Sequence, residues 1–96
     1  MYGTVARMKV KRENLEALQN GLGAEEYPSI AGFRFSHMLI PDEWNDEVVV
    51  AVFFDDKDSY VKNADDPAMN ERYVKYRALL EADPQWADGE WFSYTP

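Results

Sequence analysis

The 96-residue sequence predicts one α+β domain, a four-stranded antiparallel sheet with two helices on one face. Three observations lead there. Four stretches alternate with the period of a strand, or are short aromatic runs. Two intervening stretches repeat their apolar residues at helical spacing. The connector between the second and third strands is short and polar, which fixes those two as an antiparallel hairpin. The resulting order, βαββαβ, is the ferredoxin-like plan, and it accounts for residues 1–96 as a single domain.

The first strand runs from Tyr2 to Val10, with Tyr2, Thr4, Ala6, Met8 and Val10 at one parity and Val5, Arg7 and Lys9 at the other. From Arg12, the residues Leu15, Leu18 and Leu22 recur at i, i+3 and i+7, and Gly21 and Gly23 soften the end of this helix. Tyr27-Pro28-Ser29 breaks the pattern, because proline drives the preceding residue to an extended conformation. Ala31-Gly32-Phe33 opens the second strand. Its alternation places Phe33, Phe35, His37 and Leu39 toward the helices and Arg34, Ser36, Met38 and Ile40 away from them.

Pro41 to Asp46 is the hairpin connector, with Trp44 expected in interface packing, and Val48 to Phe54 is a β-branched and aromatic third strand. Asp55 to Ala64 reads as a short helical turn. A longer helix then starts with Asp66 as N-cap and Pro67 at its first position, burying Met69, Tyr73, Tyr76 and Leu80. Asp83-Pro84 ends it, and Trp91-Phe92-Ser93-Tyr94 is expected as the last strand.

The third strand is apolar at both parities, so neither sheet face can be left in water. A domain of this size also buries only about 60 to 65% of its unfolded surface. Both arguments predict a homodimer with two sheets packed back to back, and Arg7 and Arg34 near the interface.

Composition excludes several functions. Without cysteine there is no disulfide, thiolate nucleophile or thiolate metal ligand. A net charge of −8 repels a phosphate backbone, so nucleic acid is not an expected partner. No stretch approaches membrane-spanning length and the first residues lack a secretory pattern, so a cytoplasmic protein with no membrane partner is expected. There is no P-loop, dinucleotide fingerprint, serine elbow or paired zinc motif, and the aspartates between Asp55 and Asp66 lack the spacing of a calcium loop. No metal or cofactor is expected; the acidic groups serve as helix N-termini and solvated loops.

Ala31-Gly32-Phe33, Val48 to Phe54 running into Asp56-Lys57-Asp58-Ser59-Tyr60, and Ala64-Asp65-Asp66-Pro67 together resemble the antibiotic biosynthesis monooxygenase-like group of the dimeric α+β barrel superfamily. The resemblance spans nearly the whole chain. It implies a cavity between sheet and helices for a small aromatic or hydrophobic ligand, and in some members oxygenation without metal or flavin. The Asn, Trp and Tyr that line the cavity of oxygenase members fall by spacing on Val50, Phe54 and Tyr60, so only Tyr60 matches. The haem-degrading relatives' Asn position falls near Ala6, and neither helix carries a histidine.

Candidate site residues follow. His37, the only histidine, serves as a base or ligand-orienting group if its parity faces the cavity, or is a partly buried histidine bonded to a neighbour. Tyr60 and Tyr76 donate hydrogen bonds to a ligand from opposite walls, or are core tyrosines with solvated hydroxyls. Phe35, Val50 and Phe54 complete the expected lining. Three functions remain open: a cofactor-independent monooxygenase using His37 and Tyr60, a non-catalytic ligand-binding or stress-associated module, and haem binding through His37.

Overall fold

The structure, a computed structural model, describes residues 1–22 and 29–96. Its strands are β1 (Tyr2–Lys9), β2 (Phe33–Leu39), β3 (Glu47–Phe54) and β4 (Gln85–Glu90). Its helices are α1 (Leu15–Leu22), entered through a 3₁₀ turn at Arg12–Asn14, α2 (Lys57–Ala64) and α3 (Pro67–Arg77). The strands form one sheet in the order β2-β3-β1-β4, and every neighbouring pair is antiparallel. This is the ferredoxin-like arrangement. The expected break at Tyr27-Pro28 lies outside the described residues, as does Gly23.

Register fixes which side chains meet the helices. Thr4 lies opposite Val52, Ala6 opposite Val50 and Met8 opposite Val48. Ala6, Met8, Val10, Val48 and Val50 form one buried cluster with Leu18 of α1, Tyr76 of α3 and Leu80. The even positions of β1 and β3 therefore face the helices. Val10 closes the layer through an isolated bridge to Leu80.

Local chemistry explains the helix starts. Asp56 caps α2 by accepting from the Ser59 amide at 2.8 Å, which holds its carboxyl below the usual aspartate range. Asp66 caps α3 by accepting from the Ala68 amide at 2.9 Å, with Pro67 in the first turn where its missing N–H costs nothing. Arg77 near the end of α3 pairs with Asp83 at 2.7 Å.

Two expectations need correction. The last strand is Gln85–Glu90 rather than Trp91–Tyr94; after the Trp91 amide donates to the Met1 carbonyl at 2.8 Å, the chain leaves the sheet, and Phe92 and Tyr94 are exposed. Trp44, whose expected interface packing a single chain does not test, packs against the core, donates to Asp46 at 2.8 Å and lies under the Arg12 guanidinium. The other correction concerns β2. Phe33 lies opposite Phe54 but Phe35 lies opposite Phe53, so two steps on β2 match one on β3. Arg34 is the extra residue of a β-bulge, and one inserted residue turns every later side chain to the other face. Gly32, with φ of 79°, makes the turn that enters this bulge, and a side chain there would collide with Ser59.

Candidate functional site

A cavity of about 400 Å³ lies between the even face of the sheet and the helices. β1 and β3 supply its floor through Thr4, Met8, Val50, Val52 and Phe54. Helices α2 and α3 supply the opposite wall, including Tyr60, Asn63, Met69, Tyr73 and Tyr76. Trp86 and Asp88 stand at one side on the edge strand β4, opposite Ala6 and Thr4.

The walls are aromatic. Tyr60 meets Phe54 edge-on, with ring centroids 5.6 Å apart, and Tyr73 and Tyr76 stand nearly perpendicular at 5.2 Å. Tyr2 lies 5.3 Å from Tyr60 on its other side. Such edge-to-face pairs fix ring orientation as well as burying area.

The polar end is a pair. The Tyr60 hydroxyl donates to Asp88 Oδ1 at 2.9 Å. Burial, and then the hydrogen bond and charge of Asp88, push the Tyr60 phenol up to about 12. At neutral pH the phenol is protonated and donates its hydrogen bond to Asp88. Thr4 Oγ1 lies beneath and donates to the Ala87 carbonyl at 3.3 Å.

The sequence-derived candidates divide between two faces. Val50, Phe54, Tyr60 and Tyr76 line the cavity. Phe35 and His37 do not. The Arg34 bulge places them opposite Phe53 and Ala51, on the face away from the helices. There His37 stacks with Phe35 at 5.0 Å, Phe35 with Phe53 at 4.8 Å, and Phe53 with Trp91 at 4.6 Å. Phe33, before the bulge, lines the cavity instead.

His37 is the chain's only histidine, so the cavity has no imidazole to act as a base or to ligate haem iron. Among the described residues no three His, Asp or Glu side chains converge as a metal site. Asp88 and Trp86 lie in a polar stretch ahead of the aromatic run at Trp91, which is the stronger strand signal in the sequence. The alternation Trp86-Ala87-Asp88 was the signal that marked them as sharing a face.

Comparison with solved structures places this geometry. The cofactor-independent oxygenase SnoaB from Streptomyces nogalater superposes with a TM-score of 0.79 at 15% identity, covering 99% of this chain and 96% of its own. An antibiotic biosynthesis monooxygenase-like structure from Deinococcus radiodurans gives 0.80 at 11% identity, covering 100% and 97%. A conserved protein from Methanosarcina mazei gives 0.78 at 16%, covering 92% and 89%. No protein-family model matches the sequence, and neither does any curated protein. At these identities the likeness is one of fold: the chain has the ferredoxin-like α+β fold that these structures share.

Proposed function

We propose that this chain is a homodimeric small-molecule-binding protein that holds an aromatic or hydrophobic ligand between its sheet and helices. The observation that carries this reading is the cavity of about 400 Å³, apolar on most sides and polar at the Tyr60–Asp88 pair. A pocket with apolar walls and a few convergent polar groups is the usual form of a ligand site. The walls hold the ligand by removing it from water, and the pair orients it.

The second copy belongs on the other face. Phe35 is 39% exposed and Leu39 62% exposed there, beside Phe53, in a chain too small to leave such a patch uncovered. Arg7 and Arg34 flank this face, paired with Glu47 and Asp55 respectively.

Oxygenation is the chemistry that the likeness to SnoaB suggests for the cavity. With His37 outside it, reactivity toward dioxygen must come from an electron-rich ligand, which the Tyr60–Asp88 pair holds and orients. A second reading, in which the same cavity sequesters its ligand without chemistry, is favoured by Val50 and Phe54, which put hydrocarbon where oxygenase relatives are expected to carry polar or indole groups.

Binding of 1-naphthol by calorimetry tests the common part. The wild type is expected to bind it, and Ala64→Trp, which fills the cavity from the end of α2, to abolish binding while the fold stays intact. Equal binding by both places the ligand elsewhere. An oxygen electrode with 1,5-dihydroxynaphthalene separates the readings: uptake lost in Ala64→Trp makes the protein an oxygenase, and binding without uptake makes it a binding module.

A further inference from the structure

The charge pattern of the cavity points to a ligand class, an inference that rests on the cavity reading above. Among the described residues lining it, Asp88 is the one charged side chain, and none is Lys, Arg or His. Residues 23–28 contain Glu25 and Glu26 and no basic residue. The pair at the polar end presents acceptors: the Tyr60 hydroxyl donates its hydrogen bond to Asp88 Oδ1, and the remaining carboxylate lone pairs are open to a donor.

The lining also carries the rings of Phe33, Phe54, Tyr73, Tyr76 and Trp86, with Phe54 5.6 Å from Tyr60. Aromatic faces carry the negative side of the ring quadrupole and attract cations. The net charge of −8 raises the local concentration of cations around the whole chain.

We propose that the cavity takes an organic amine, with its ammonium group against the Asp88 carboxylate and its apolar body among the aromatic rings. A carboxylate ligand of the same shape meets Asp88 with no compensating positive charge in the described lining. An alcohol of the same shape makes the hydrogen bond but gains neither the ionic nor the cation–π attraction. Because Asp88 is solvent-accessible, the ionic part is modest, and a preference for amine over alcohol of about tenfold is expected.

Calorimetry at pH 7 with tryptamine, tryptophol and indole-3-propionate tests this, since the three share an indole and differ in charge. Tryptamine is expected to bind tightest and indole-3-propionate weakest. Asp88→Asn, which keeps size and hydrogen bonding, is expected to bring tryptamine down to the affinity of tryptophol and leave tryptophol within about threefold of wild type. Asp65→Asn, the same charge change away from the cavity, is expected to leave the preference intact. Equal binding of all three probes, an unchanged preference in Asp88→Asn, or an equal loss in Asp65→Asn overturns the amine assignment while the cavity reading stands. If none of the three probes binds the wild type, the cavity reading falls as well.

Discussion

The two faces of the sheet are built from the same strands and end in opposite states. On the helix side Ala6, Met8 and Val48 are fully buried, and what space remains is a cavity with one polar end. On the other side Phe35, His37 and Leu39 lie open around Phe53, with no element of the described chain above them. Alternation along a strand assigns residues to faces, but the elements packed on each face decide what those residues do. One face encloses a volume; the other is open.

The sharpest contrast between the faces is energetic. Phe54→Ala removes a fully buried ring from the helix side, and a loss of about 3–5 kcal/mol is expected in thermal or urea unfolding. Phe35→Ala at matched concentration is expected to leave the unfolding of an isolated subunit nearly unchanged. If Phe35→Ala costs the monomer as much as Phe54→Ala, the two faces are not distinct in the way described.

Phe35→Glu sharpens the comparison from the other direction. Sedimentation equilibrium of the wild type is expected to give twice the chain mass of 11.1 kDa, and the variant to weaken association by at least about thirtyfold while retaining its circular dichroism. A wild type that stays monomeric at millimolar concentration removes the role assigned to the open face.

The polar end of the cavity provides a smaller, pH-dependent effect. Tyr60 is raised above its ordinary value of 10.0 to about 12, so the folded chain holds this proton more tightly than the unfolded chain. Its contribution to stability is fully present below pH 10.0 and is lost as pH rises through about 12. Absorbance titration near 295 nm is expected to show Tyr60 titrating late, its transition moving toward 10.0 in Asp88→Asn. No change in that variant means the pair does not act as described.

The smallest effect concerns α3, which roofs the cavity. Asp66→Ala removes its N-cap, with an expected cost of about 1 kcal/mol in urea unfolding. An Asp66→Ser variant, which restores a capping oxygen, is expected to recover most of it.

Much of this was legible in the sequence. The even residues of β1, the apolar run of β3 and the Asp66-Pro67 start of α3 follow from periodicity and capping, which depend on neighbours in the chain. The face of β2 was not legible, because Arg34 leaves no local mark as an extra residue; it becomes one only when Phe33 and Phe35 pair with adjacent positions of β3. That single insertion moved Phe35 and His37 to the face away from the cavity and turned Ser36 and Met38 toward the helices, while Phe33, before it, kept its expected side. β4 was misplaced for a different reason. An edge strand with a cavity on one side can be as polar as Gln85–Glu90, while the aromatic run after it lies outside the sheet. Asp88, the residue on which the amine assignment turns, was hidden in that polar stretch.

The central claim is that the helix side of the sheet holds ligand and the other side does not. Methyl-resolved NMR of the protein titrated with tryptophol, the neutral probe, tests it directly, because Val50, Val52 and Met69 report on the cavity and Leu39 and Val49 on the open face. Saturable shifts confined to Val50, Val52 and Met69 are the expected result. Shifts centred on Leu39 and Val49, or no saturable shifts at all, contradict the account.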